Sequence, residues 1–219
     1  MTIFKRLLAA SALTLTAAGT ATGALADSLV LNNQINLQHD WSTLNLKVDT
    51  VGGDVVTQSA AGSNLVDIMT MNNTTVNNSQ FSAPQATIRA TTTLDAKNVW
   101  GSVGVQNQVV CNSASVSTDP ARTAVTSVQD CQGLDSFSQT GATISNVAGH
   151  AIIQNSMVGN SFEADSNALN MPINTKQTNA MATVSTVNAN VVNVGGDVGA
   201  SSGAFGNTAR IIHYGTGQP

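Results

Sequence analysis

The stretch VAGHAIIQNSMVGN, from Val147 to Asn160, is one of four versions of a single 14-residue pattern. The others are VGGDVVTQSAAGSN (Val51–Asn64), VWGSVGVQNQVVCN (Val99–Asn112) and VGGDVGASSGAFGN (Val194–Asn207). Their starts lie 48, 48 and 47 residues apart. Glycine fills the third slot of every copy (Gly53, Gly101, Gly149 and Gly196), and asparagine fills the fourteenth (Asn64, Asn112, Asn160 and Asn207). A chain that repeats at such a period is one structural unit used several times. Repetition also argues against a single catalytic centre, which needs unlike residues brought together once.

Within the pattern the odd slots are restricted. The fifth holds Val55, Val103, Ala151 and Val198, and the seventh Thr57, Val105, Ile153 and Ala200. The ninth holds Ser59, Asn107, Asn155 and Ser202, and the eleventh Ala61, Val109, Met157 and Ala204. Side chains two apart share one face of a strand, so this small or apolar set predicts a buried face. Beyond the asparagine the apolar phase moves to even positions: Val66, Ala114, Phe162 and Ala209, then Ile68, Val116, Ala164 and Ile211. A one-residue slip exchanges the faces of a strand. We therefore expect a bend at each slot-13/14 site, with glycine or asparagine at positive φ.

Strand-like runs precede the anchors, at Ala86–Leu94, Thr140–Val147, Ala180–Val187 and Ile35–Val48. Each unit thus reads as two long strand regions joined by turns. The expected fold is all-β, a repetitive β-solenoid of about four 48-residue units with the asparagines laddered along a corner. The alternative is an antiparallel eight-stranded sandwich or barrel. Identical slots recurring at one period favour stacking.

The first 26 residues read as a secretory signal peptide. Lys5 and Arg6 form the basic region, Leu7–Leu15 the apolar core, and Ala24-Leu25-Ala26 the small-x-small motif, with cleavage between Ala26 and Asp27. A transmembrane helix needs about 20 apolar residues, and nothing in the mature chain offers them. Residues 27–219 then form a single β-repeat domain of 193 residues. It carries six Lys or Arg against twelve Asp or Glu, a balance that disfavours nucleic acid, whose binding needs basic side chains on phosphate. Val, Thr and Ile suit strands, and Asn, Gln, Ser and Thr must cover most of the surface.

The two cysteines, Cys111 and Cys131, predict a disulfide in an exported chain. It closes a loop of about 20 residues and contributes roughly 3 kcal/mol on a chain-entropy model. A metal pair is the alternative, with no histidine nearby. Both cysteines fall within one repeat, so they are expected to staple one unit.

Candidate chemistry is sparse. His150 occupies the fourth slot, where the other copies carry Asp54, Ser102 and Asp197, and reads as a solvated turn. Gly-Gly-Asp-Val at Asp54 and Asp197 is similar to calcium-binding glycine-rich repeats, but the nine-residue period is missing. Glu163 and Asp165 lie two apart as an acid–base pair might, yet their counterparts in the other repeats are not paired carboxylates. Phosphate loops, nucleophile elbows and zinc motifs are missing. No catalytic residue, metal ligand or cofactor is expected. A β-helix polysaccharide-degrading enzyme would need a charged cluster that the sequence does not offer. A soluble carbohydrate-binding module would need an aromatic platform, for which Trp41, Trp100, Tyr214 and five phenylalanines are the supply.

The leader, the Gly-Asn-containing β-repeats such as Val198–Ile211, and the segment Val128-Gln129-Asp130-Cys131-Gln132-Gly133 together resemble those of secreted bacterial holdfast-anchoring proteins. Such proteins fix an adhesive polysaccharide to the cell envelope. The resemblance spans nearly the whole mature chain. It implies an exported, non-enzymatic adhesion protein at the cell surface or outer membrane. The expected partners are polysaccharide or other surface-anchor proteins, with self-association through stacked strands.

Overall fold

The computed structural model describes residues 28–71, 73–118, 123–167 and 171–214. Strands come in threes along the chain. The first coil holds β1 (Ser28–Asn36), β2 (Asp40–Val51) and β3 (Val55–Thr70). The second holds β4 (Thr74–Ser82), β5 (Thr87–Val99) and β6 (Val103–Thr118). The third holds β7 (Thr123–Cys131), β8 (Asp135–Val147) and β9 (Ala151–Ser166), and the fourth β10 (Ile173–Asn179), β11 (Ala182–Val194) and β12 (Val198–His213). No helix occurs among the described residues.

Corresponding strands of successive coils pair side by side. This gives one sheet of β1, β4, β7 and β10, a second of β2, β5, β8 and β11, and a third of β3, β6, β9 and β12. Every pairing is parallel and in register with the repeat: Val55 lies beside Val103, Val103 beside Ala151, and Ala151 beside Val198. This is the solenoid expected from the fixed period, each unit forming one wide coil. The antiparallel sandwich or barrel is excluded, because it needs hairpin neighbours. Each unit contains three strands where the sequence suggested two. The additional strand is β1 and its equivalents, which lack an apolar alternation because inward positions such as Thr74, Asn78, Gln80 and Ser82 are polar.

The phase slip is present. Pairing passes from Gly62–Val110 to Asn64–Asn112, omitting Ser63 and Cys111, and the same gap recurs at Gly159 and Gly206. Adjacent Cys111 and Asn112 are both buried, so inward alternation resumes one residue late. The expected positive φ is not there. It falls one residue before each anchor valine, at Thr50 (58°), Asn98 (54°), Asn146 (54°) and Asn193 (57°). These residues make the corner between the second and third sheets, where the chain reverses over a few residues. Asparagine tolerates this left-handed geometry better than most residues, and here its side chains form a row across the coils: Asn193 donates to Asn146, Asn146 to Asn98 and Asn98 to Asp49.

The long third-sheet strand faces both of the others. Its first half packs Val55, Val103, Val105, Ala151 and Ile153 on Leu94, Ala96, Val99, Ala142, Ile144 and Val147 of the second sheet. Its second half packs Ile68, Ala114, Val116, Phe162 and Ala164 on Val76 and Val125 of the first. Between them Ile88, Ala90, Val109, Met157 and Met181 surround Cys111 and Cys131. The odd-slot face is buried in the two middle coils. In the fourth coil Val198, Ala200, Ser202 and Ala204 are exposed, and so are Ala209 and Ile211. They hold the same register positions, but no described coil lies above them.

Candidate functional site

Period-two alternation turns every second residue of the second sheet outward. In its first turn this places Trp41 of β2, Arg89 of β5, Phe137 of β8 and Val184 of β11 in one row across the stack. The Arg89 guanidinium lies 5.8 Å from the Trp41 ring centroid and 4.7 Å from that of Phe137. Its Nη2 donates to both carboxylate oxygens of Asp135, at 3.1 and 3.0 Å. Trp41 Nε1 donates to Thr87 Oγ1 at 3.1 Å, and Thr87 Oγ1 lies 2.8 Å from His39 Nδ1. The His39 ring stacks on Trp41 with centroids 5.7 Å apart. Trp41 nevertheless remains 66% exposed.

This row combines an exposed aromatic, a fixed cation and a carboxylate, while the buried Thr87 hydroxyl holds the Trp41 and His39 rings in place. Part of its geometry serves the stack itself, since a cation held over aromatic faces is attracted by their quadrupoles. Asp40 begins β2, and burial holds its pKa above the ordinary 3.8, against the lowering effects of the Asn36 hydrogen bond and His39. The sequence reading missed the row. Positions 41, 89, 137 and 184 keep the 48-, 48- and 47-residue steps of the anchors, but their residue types differ, so the slot has no repeat of its own to draw attention to it.

The fourteenth-slot asparagines form a row inside the third sheet, at the slip rather than at a corner. Asn64 Nδ2 donates to Asn112 Oδ1 at 2.8 Å, Asn112 to Asn160 at 2.8 Å, and Asn160 to Asn207 at 2.7 Å. The second hydrogen of each amide crosses to a first-sheet carbonyl: Phe81, Asp130 or Thr178. A glutamine row answers from the first sheet with the opposite polarity. Gln80 donates to Gln34, Gln129 to Gln80, and Gln177 to Gln129, all at 2.8 Å. These ladders satisfy polar groups in an interior that would otherwise exclude them.

The third-slot glycines are needed for close stacking at the corner. A Cβ on Gly149 would meet Ser102 Oγ and lie 2.7 Å from Gly101 O, and one on Gly196 would lie 2.7 Å from His150 Nδ1. At Gly101 it would meet Asp54 Oδ1, with Gly53 C at 2.6 Å. Gly53 stands apart, with nothing within 4 Å.

Cys111 and Cys131 are bonded, with Cα atoms 6.2 Å apart. They join β6 to β7, so the bridge ties the second coil to the third rather than stapling one unit. His150 accepts the Asp197 N–H at 2.9 Å at an exposed corner. Glu163 accepts from Arg210 at 2.6 Å, an ion pair between the third and fourth coils. Trp100 stands exposed at a corner, away from Trp41. Among the described residues no three His, Cys, Asp or Glu converge to hold a metal ion, and no helix is long and apolar enough to cross a membrane. Ala26 and Asp27, with the leader before them, lie outside the described residues.

Comparison with curated proteins and with solved structures gives no match. The model of one family, described as Holdfast attachment protein D, matches residues 7–216, nearly the whole chain. With that coverage, the repeat solenoid described above belongs to the holdfast attachment protein D family.

Proposed function

We propose that this chain is an exported, non-enzymatic attachment protein that holds an adhesive polysaccharide at the cell envelope. In this reading it meets saccharide on the Trp41–Arg89–Phe137 row. Family membership supports the attachment role. The observation that carries the contact surface is the Trp41 indole, exposed beside the ordered Arg89 guanidinium and Asp135 carboxylate. Neighbouring strands are about 4.8 Å apart, so the row runs across successive coils and suits an extended polymer better than a single sugar. The apolar C–H face of a sugar ring stacks on the indole, while its hydroxyls bond the polar groups. Export through the 1–26 leader and residence at the cell surface or outer membrane complete the reading, and other surface-anchor proteins are the remaining partners.

The test is binding of the purified mature chain to the isolated adhesive polysaccharide, compared with Trp41→Ala and with Trp100→Ala as a surface control. Loss of an aromatic contact worth about 1.4 kcal/mol lowers affinity roughly tenfold. Equal binding by Trp41→Ala and wild type, with both folded, refutes the assignment of the row.

A further inference from the structure

We propose that a second copy of this chain stacks on the end of the solenoid, its first coil seated on the fourth coil of its neighbour, so that one continuous parallel stack forms. The inference is independent of the saccharide reading and rests on how the two ends match.

Each internal row has a polarity, and each row stops with complementary groups at opposite ends. In the asparagine row Asn64 Oδ1 has no donor among the described residues at the first coil. At the fourth, the Asn207 amide reaches only Gln177 O, at 3.5 Å. In the glutamine row the amide of Gln34 bonds only the backbone carbonyl of Leu65, and Gln177 Oε1 has no donor among the described residues. A head-to-tail neighbour lets Asn207 donate to Asn64, and Gln34 to Gln177. The corner row behaves alike. Asp54 Oδ1 accepts the Ser102 N–H at 2.7 Å, Ser102 Oγ the His150 N–H at 3.1 Å, and His150 Nδ1 the Asp197 N–H at 2.9 Å. The row ends on an Asp197 side chain that is 95% exposed, matched by the Asp54 N–H at the far end.

Gly53 supplies a further observation. Gly101, Gly149 and Gly196 each need to lack a Cβ because the preceding coil lies against them, whereas Gly53 has open space within this chain. A preceding coil from another copy would occupy that space. Charge agrees on the outer face. The row that runs Asp67, Ser115, Glu163, Arg210 would continue from Arg210 to the Asp67 of the next copy. Asp197 and Asp54 are the one like-charged pair that stacking would bring into a row. The apolar column fits as well. Val187, Val191 and Val194 at one end, and Leu46, Val48 and Val51 at the other, are only partly buried, while Leu94, Ala96 and Val99 between them are fully buried. Among the described residues β1, β2 and β3 at one end, and β10, β11 and β12 at the other, are edge strands, in the parallel register a further coil would need. Such a contact is heterologous and does not close on itself, so it yields filaments rather than dimers.

The experiment is sedimentation of the mature chain from about 1 to 100 µM, the range where specific interfaces of modest affinity populate, with electron microscopy of the products. Wild type is expected to form open-ended species that lengthen with concentration. Gly53→Val is expected to keep the same circular dichroism and melting temperature, because nothing in the single chain opposes its side chain. Its self-association falls at least tenfold, and when added to wild type it shortens the assemblies by capping one end. A wild type that stays monomeric across the range, forms only closed dimers, or assembles equally as Gly53→Val overturns the proposal. So does assembly seen only in a variant ending at residue 214, which would show that the chain's own tail covers the end.

Discussion

Replacing Asn112 by alanine tests whether the buried amide ladder holds the coils together. The Asn112 amide gives one hydrogen to Asp130 O at 3.1 Å and the other to Asn160 Oδ1 at 2.8 Å, and its own oxygen accepts from Asn64 at 2.8 Å. Truncation leaves the Asn64 N–H and the Asn160 oxygen without partners in a closed interior. Each buried unpaired group costs about 1–3 kcal/mol, so a loss of roughly 4 kcal/mol is expected, with a fall in melting temperature of about 10 °C. Asn64→Ala removes the end of the same row and orphans mainly the Asn112 oxygen, for about 1–2 kcal/mol. Asn112→Asp keeps the acceptor but has no amide hydrogens, and places a carboxylate in the interior. Burial raises its pKa, so the stability it retains is present at low pH and lost as pH rises through the shifted value. Urea denaturation followed by far-ultraviolet circular dichroism measures all three. A cost below about 1 kcal/mol for Asn112→Ala, or equal costs at Asn64 and Asn112, would refute a cooperative ladder.

Three further changes probe the corners and one strand end. Gly149→Ala pushes a Cβ onto Gly101 O at 2.7 Å and should destabilise the monomer by about 2–3 kcal/mol in the same denaturation assay, typical of overpacking. Thr50→Asn relieves a β-branched residue at φ 58° and offers Asn98, which donates to Asp49 Oδ1 at 2.8 Å, the asparagine acceptor that the later coils use. A gain of about 0.5–1 kcal/mol is expected, and a loss would mean that the left-handed conformation is not the source of strain. Asp40→Asn removes a carboxyl whose pKa burial raises above 3.8. A raised native pKa means the wild type is favoured below the unfolded value and loses that advantage as pH rises. The variant should therefore melt higher than wild type at neutral pH and converge with it in acid. Melting curves across that window check the sign.

Much of the architecture was readable from four aligned anchors, for a physical reason. A parallel stack places the same slot of successive units in one environment, so slots 5, 7, 9 and 11 face inward in every unit, covered in the first three and open in the fourth, and the slip at slot 13 repeats as a change of phase. The first-sheet strands were harder to see. Thr74–Ser82 has few apolar residues, because its inward Asn78 and Gln80 are satisfied by ladders that exist only once the coils are stacked. Its spacing is also uneven: Gln34, Gln80, Gln129 and Gln177 are 46, 49 and 48 residues apart, as the turns change length. The left-handed corner was signalled by Asn98, Asn146 and Asn193, but these stand one residue before the pattern, outside the window read as conserved in type across the repeats. The Trp41–Arg89–Phe137 row was hidden differently. Outward slots are free to vary, so three unlike residues at one slot carry no repeat signal, and their contact becomes visible only in the fold.

The central claim, that this solenoid holds adhesive polysaccharide on the cell, is tested most directly by deleting the chain from cells that make the adhesive. The polysaccharide is then quantified on the cells and in the medium with a labelled lectin. The account predicts that the polymer is still synthesised but is shed into the medium, and that attachment returns with the wild-type chain. Polymer retained on the deleted cells at the wild-type level, with normal attachment, would contradict it.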